Sequence, residues 1–310
     1  MRQPGLRAEA GVMASPNSLS DLSTHLAQAV ETGGQSVVAV HGRPHIPSSG
    51  ILWQDGVVVT SDHTLKRDED LTLTLPNGRT LPATLAGRDG GTDLAVLKIE
   101  STGAPAPKLA PEASLNTGNL VLALGRRGEN GISASFGVIS SIGGAWRTWR
   151  GGQIERFISP DVNIYYGFSG GALVDTEGGI IGLNTSGLTR GSGVTVPAAT
   201  VTRVVADLLT SGHVRRGYLG VGLHPVSLPD GRSGLVVLSI EPDGPAARAG
   251  VYVGDVLVAL ENKPVADTDD VQSHLGADKV GKPLEAAIVR GGAALTLHVT
   301  PGERRPEGGR

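Results

Sequence analysis

The chain has 310 residues, a formal charge of −3 and an isoelectric point near 6.2, with no basic stripe beyond short pairs such as Arg215-Arg216, which excludes nucleic acid as a main partner. No cysteine is present, so disulfide and thiol chemistry are excluded as well. The length suits about two domains, and 46 glycines with only 3% aromatic residues require aliphatic cores joined by tight turns, as in β-barrels with hairpins.

Residues 1–17 are polar and read as a flexible leader, with Met13 as a second candidate start. Neither there nor elsewhere is an apolar run long enough for a signal segment or a membrane span, which makes the cytoplasm the default location. Residues 18–34 are helix-like, with serine and aspartate suited to an N-terminus. The only metal-like spacing is His41 and His45 in H-G-R-P-H; a proline precedes His45 and no carboxylate cluster lies near, so no metal and no cofactor are expected.

From residue 35 onward, short apolar runs separated by glycine turns read as strands. His63 follows one such run, G-V-V-V-T, and Asp93 opens another, D-L-A-V-L-K-I. Arg126 and Arg127 read as a solvated loop pair, and W-R-T-W-R-G-G-Q at 146–153 as a surface hairpin with packed rings.

Residues 167–171 read G-F-S-G-G, a serine in a tight glycine turn that opens a hairpin closed by Gly178-Gly179. Glycine on either side lets a substrate carbonyl approach, so that the N–H groups of Gly167 and Ser169 can point at one oxygen. A serine is a weak nucleophile until an imidazole base, held by a carboxylate, takes its proton. His63 and Asp93 supply both, in the chain order His63, Asp93, Ser169. The same pentapeptide fits the G-x-S-x-G elbow of esterases, where the serine starts a helix and the acid and histidine come later. That alternative fails because strand-like alternation follows Ser169, and His213, His224, His274 and His298 lie beyond the expected end of the domain.

A second unit follows. The run from Leu235 alternates strand, turn, a short helix over 245–249 ended by Gly250, and strand; an amphipathic run over 268–277 puts Val271 and Leu275 on one face. This stretch resembles a PDZ domain. That resemblance makes G-Y-L-G-V at 217–221 the carboxylate-binding loop, with Tyr218, Leu219, Gly220, Val271 and Leu275 as candidate peptide contacts. Leu219 and Val221 also fit as plain core residues of a strand.

Across about residues 35 to 300 the chain resembles the HtrA (Deg) serine proteases. V-V-T-S-D-H, G-T-D-L-A-V-L-K-I, G-F-S-G-G-A-L-V-D, G-I-I-G-L-N-T, V-T-V-P-A-A-T-V-T-R-V-V-A-D-L-L and R-R-G-Y-L-G-V appear in family order. The resemblance implies a mostly β fold: a chymotrypsin-like double β-barrel over 35–212, an α+β PDZ domain over 213–302, and a disordered tail over 303–310. It makes His63 the general base, Asp93 its orienter and Ser169 the nucleophile. Ile164 with Asn184, Thr185 and Ser186 would line the S1 pocket and pair with substrate backbone, favouring cleavage after small aliphatic residues.

The implied partners are unfolded or exposed protein segments and peptides with apolar C-termini. Family members often act outside the cytoplasm and often form trimers through N-terminal aromatics, but this chain has no aromatic residue before Trp53. No nucleotide-binding G-x-x-x-x-G-K-[ST] is present, in keeping with ATP-independent cleavage. Phe168 stands where the family usually has asparagine, which raises a rival reading: a peptide-binding chaperone or scaffold whose protease loop is inactive.

Overall fold

The computed structural model describes residues 18–128, 131–189 and 193–303. The expectations for the leader over 1–17 and the tail from 304 onward lie outside these residues. The first described element is helix α1 (Ser18–Gly34). Leu26, Ala29 and Val30 recur at helical spacing and pack against the protein, while Leu19 stays exposed.

Six strands then close a barrel: β1 (Val37–His41), β2 (Ser48–Gln54), β3 (Val57–Ser61), β4 (Leu71–Thr74), β5 (Thr80–Asp89) and β6 (Leu94–Lys98), in the order β1-β2-β3-β6-β5-β4. A second barrel uses β7 (Leu120–Arg126), β8 (Ile132–Ile142), β11 (Ile158–Asp161), β12 (Ala172–Val174), β13 (Ile180–Thr185) and β14 (Val194–Pro197), in the order β11-β14-β13-β12-β7-β8. Between β8 and β11 a small hairpin, β9 (Trp146–Arg147) with β10 (Gln153–Ile154), stands apart. Trp146 packs edge-on to Phe157 at 5.5 Å, but Trp149 is 74% exposed, so only one of the two rings expected to pack does so.

The apolar runs read as continuous rather than alternating because both faces of these strands are buried. In β1 and β3, Val38, Val40 and Val58 point into the first barrel, whereas Val37, Val57 and Val59 point out of it. The outward set meets Leu122, Leu124, Val174 and Leu183 of the second barrel, together with Val201, Val204 and Leu208 of helix α2 (Ala198–Ser211). The barrels therefore share a core of their own, and the cleft between them is rigidly floored.

Gly212, at φ 76, ends α2 and leads to the third unit. It contains β15 (Gly217–Tyr218), β16 (Val221–Ser227), β17 (Ser233–Ile240), α3 (Pro245–Arg248), β18 (Val256–Leu260), β19 (Lys263–Pro264), α4 (Thr268–Ser273), β20 (Leu284–Arg290), β21 (Ala293–Val299) and β22 (Gly302–Glu303). The main sheet runs β16-β17-β18-β20-β21, leaving one edge of β16 free. Helix α4 is shorter than the run over 268–277 suggests; Asp267 caps its start reciprocally with Asp270, and Leu275 lies past its end. Glu303, expected to begin a disordered tail, instead pairs with Gly217 in the β15–β22 ribbon, and its carboxylate accepts from His213 at 2.8 Å and Arg215 at 3.2 Å. Two further arginines bridge this unit to the barrels: Arg216 donates to Asp89 at 2.7 Å and Arg147 to the Gln272 carbonyl at 2.7 Å.

Candidate active site

Asp93 reaches the cleft through a turn that the sequence builds locally. The Asp89 carboxylate accepts from the N–H groups of Gly91 and Thr92, each at 3.2 Å, and from Thr92 Oγ1 at 2.7 Å. The turn leaves Asp93 at φ 56, a left-handed conformation that aspartate tolerates, just before β6. His63 sits in a single tight turn after β3, held by Asp62 N–H donating to the Asp93 carbonyl at 3.0 Å.

The Asp93 carboxylate is 1% exposed and fully engaged. It accepts from His63 N–H at 2.8 Å, pairs with His63 Nδ1 at 2.8 Å, and accepts from Thr185 Oγ1. A carboxylate only accepts, so Nδ1 carries the proton and Nε2 is the free base. Nearby Asp62 is pushed above the ordinary carboxylate range by burial, against the pull of Arg88 at 3.0 Å.

The segment 185–187 touches all three of His63, Asp93 and Ser169. Thr185 Oγ1 binds Asp93, and Ser186 Oγ lies 3.2 Å from Ser169 Oγ. Gly187 has to be glycine, since a Cβ there would stand 2.7 Å from His63 Nδ1. No hydrogen bond joins Ser169 to His63 among the described residues; their common neighbour is this segment.

Around Ser169 the loop is fastened to leave two donors bare. Phe168 N–H donates to the Tyr165 carbonyl, Gly170 N–H to Asn184 and Gly171 N–H to Phe168, each at 2.8 Å. The N–H groups of Gly167 and Ser169 have no acceptor among the described residues. Gly167 and Gly170 take φ values of 98 and 90, open only to glycine at low cost. Phe168 is fully buried in the second barrel's core beside Val121, Ala123 and Leu173, with Tyr165 edge-on at 5.3 Å. It fits because residue 125 is glycine: a Cβ there would be 2.6 Å from the ring. The aromatic residue thus nails down the loop from beneath.

The remaining expected residues divide. Ile164 is half-buried against the backbone of Gly193, and Ser186 is exposed at the cleft. Asn184 and Thr185 have no exposed surface. Thr185 serves Asp93, the Asn184 side chain accepts from Thr195 at 2.8 Å, and its backbone holds Gly170 and Gly171, so neither side chain can line a pocket. Arg127 is exposed, but Arg126 is 8% exposed, correcting the solvated pair. Its guanidinium donates to the carbonyls of Val37 at 2.7 Å and Gly34 at 3.2 Å, closing the C-terminus of α1 where carbonyls lack helical partners.

In the third unit, Leu219, Val271 and Leu275 are buried together in the core, and Val221 packs half-buried against it. The Leu219 carbonyl accepts from Ala246 at 2.9 Å and that of Gly220 from Glu241 at 2.8 Å, while their own N–H groups are unpaired among the described residues. Tyr218 is held in the β15–β22 ribbon opposite Gly302.

Comparison with known proteins agrees with this architecture. Residues 48–183 match the trypsin-like peptidase domain and residues 217–300 the PDZ domain. Over 269 residues the chain is 32% identical to the serine endoprotease DegS of Escherichia coli, spanning 82% of this chain and 75% of that protein. It is also 32% identical over 273 residues to a probable periplasmic serine endoprotease DegP-like of Halomonas elongata, spanning 84% of this chain and 57% of that protein. A crystal structure of the serine endoprotease from Yersinia pestis superposes with a TM-score of 0.76 at 31% identity, covering 90% of this chain and 98% of the other. The HtrA-type protease AlgW with a decapeptide gives 0.77 at 28%, covering 91% and 99%. With two closed barrels meeting at the Ser169 cleft and a PDZ domain behind them, the chain belongs to the HtrA (Deg) family of serine endoproteases.

Proposed function

We propose that this serine endopeptidase uses Ser169 as nucleophile, His63 as general base and Asp93 as the group that fixes the imidazole. With Nδ1–H tied to Asp93, His63 Nε2 takes the Ser169 proton as Oγ attacks the scissile carbonyl. The oxyanion gathers between the N–H groups of Gly167 and Ser169, each such donor being worth about 3 kcal/mol in the transition state. The buried Asp93 charge stabilises the imidazolium, which passes its proton to the leaving amine; water then attacks the acyl-enzyme by the same route.

Substrates are unfolded or exposed polypeptide segments, cleaved without ATP. Ile164 packed on Gly193 makes a shallow apolar wall suited to small aliphatic side chains, and Ser186 offers an exposed edge for substrate backbone. The PDZ domain takes apolar C-termini as an added strand on β16, with the free N–H groups of Leu219 and Gly220 meeting the terminal carboxylate. Val271 and Leu275 then shape that site from below rather than by exposed surface, while the half-buried Tyr218 flanks it. No helix of the described residues is long and apolar enough to cross a membrane, and because relatives are named periplasmic, the proposal includes action outside the cytoplasm.

The observation that carries this reading is the pair of unpaired N–H groups at Gly167 and Ser169 beside an imidazole oriented by a saturated carboxylate. The test is casein cleavage and fluorophosphonate labelling of the chain and its Ser169→Ala variant, with and without a peptide ending in an apolar residue. Loss of both signals in the variant is expected, with a change in rate on adding peptide. A parent chain that neither labels nor cleaves under any condition would establish the scaffold reading instead.

A further inference from the structure

Ser49 lies in β2 of the first barrel and is wholly buried, yet its N–H and hydroxyl both reach the loop of the second barrel that carries Ser169. Its N–H donates to the Ser169 carbonyl at 3.2 Å, and its hydroxyl donates to the Gly167 carbonyl at 2.7 Å. Arg126 N–H donates into the same Oγ at 2.9 Å, and of the two carbonyls within reach of the single hydroxyl proton, Gly167 at 2.7 Å is much nearer than Arg126 at 3.5 Å. Thr60 Oγ1 holds the Ser49 carbonyl at 2.6 Å. Gly170 comes so close that a Cβ on it would stand 2.0 Å from that carbonyl oxygen. One residue therefore grips the carbonyls of both residues whose N–H groups stay bare.

We propose that Ser49 is a positioning residue for the oxyanion hole, acting from the opposite barrel through Gly167 and Ser169 and touching no substrate. The Gly167 carbonyl belongs to the Gly167–Phe168 peptide, the unit that joins the two peptides carrying the bare N–H groups of Gly167 and Ser169. A glycine at φ 98 has no side chain to hold that unit, so its direction depends on what the carbonyl is tied to. The Ser49 hydroxyl is that tie at Gly167, and the neighbouring tie at Ser169 is the Ser49 backbone. Because each barrel supplies one side of the contact, the hole is correctly formed only when the barrels are docked as they are here. The inference rests on Ser169 being the nucleophile.

Loss of an oxyanion donor costs about 10²–10³ in kcat, and misplacement by about 1 Å can cost about a hundredfold. Ser49→Ala keeps the backbone bond to Ser169 and loses the tie to Gly167 together with the acceptor for Arg126 N–H, whose loss acts on stability, so kcat should fall about tenfold to a hundredfold while KM stays within about twofold. Inhibition by a peptide boronate, whose tetrahedral adduct fills the hole, should weaken by the same factor as kcat/KM. Ser49→Cys keeps a side-chain donor, weaker and on a somewhat larger atom, and should fall between, so it carries the test should the alanine variant not fold. All are full-length chains assayed on labelled casein below their melting temperatures. A kcat within about threefold of the parent in both variants, or a loss carried by KM, overturns the proposal. Ser169→Ala is run alongside: fluorophosphonate labelling retained there would overturn the nucleophile assignment itself, a result distinct from failure at Ser49.

Discussion

The cleft at Ser169 and the Leu219–Gly220 loop of the PDZ domain, the two sites proposed above, solve one physical problem in two ways. Each presents bare backbone N–H groups beside a glycine in the left-handed region, Gly167 at φ 98 and Gly220 at φ 72, and each ties down the neighbouring carbonyls so that the N–H groups stay free. In the PDZ loop the ties are backbone to backbone, from Ala246 to Leu219 and from Glu241 to Gly220. In the cleft, the tie at Gly167 is the Ser49 side chain, and the imidazole depends on Asp93 and Thr185 side chains. A binding site built from backbone tolerates side-chain changes; a reacting site built on side chains does not. The two sites should therefore respond very differently to single substitutions.

The sharpest break is Asp93→Asn. An amide can no longer accept from His63 N–H, Nδ1 and Thr185 together, and it favours the wrong imidazole tautomer. We expect kcat to fall by about 10⁴. Calorimetric binding of a peptide with an apolar C-terminus should be unchanged, since nothing in the PDZ loop contacts Asp93. If peptide affinity falls along with activity, the two sites are not separable in the way their hydrogen bonds indicate.

Next comes Phe168→Ala, which empties a fully buried ring site in the second barrel. Such truncations cost about 3–5 kcal/mol. All three tryptophans lie outside the PDZ domain, Trp53 in β2 and Trp146 and Trp149 in the β9–β10 hairpin before β11, so tryptophan fluorescence should report the loss directly. The variant should also lose kcat, because the loop carrying Gly167 and Ser169 loses its anchor. A stable but inactive Phe168→Ala would assign the ring to catalysis alone; a destabilised one with full kcat would assign it to packing alone.

What was legible in the sequence follows the same division. His63, Asp93 and Ser169 stand out because each ends or opens an apolar run or sits among glycines, and those are local signals. Thr185, Gly187 and Ser49 were not recognised in these roles, because their partners lie far along the chain and meet them only when the barrels close. Arg126 is visible as a charge, but its acceptors are the carbonyls of Gly34 and Val37, which every residue possesses, so burial left no trace to read. Glu303 reads as tail in the sequence because two residues of strand are too short to show a period. The spacing of Val271 and Leu275 predicts a shared helix face, but α4 ends at Ser273, and the two meet in the core because both are apolar; periodicity does not say whether such residues meet a ligand or the core.

The smallest expected effect tests the PDZ side alone. Asp255 is 1% exposed and accepts from Arg290 Nε at 2.7 Å, Arg290 Nη2 at 2.8 Å and Tyr252 N–H at 2.8 Å. The Arg290 hydrogen bonds hold its carboxyl below the ordinary 3.8. A carboxyl lowered on folding stabilises the native state above its unfolded value, and that contribution is lost as the pH falls through the folded one. Asp255→Asn should therefore cost the PDZ domain about 2 kcal/mol at neutral pH, less than a fully buried pair because Arg290 is partly in water. Calorimetry should show a lowered PDZ transition while the tryptophan-detected barrel transition and casein cleavage hold. The parent and variant transitions should converge only as the pH falls below 3.8 and through the lowered folded value, where the native carboxyl takes up its proton. A deficit that persists unchanged into acid would mean that Asp255 acts through shape rather than charge.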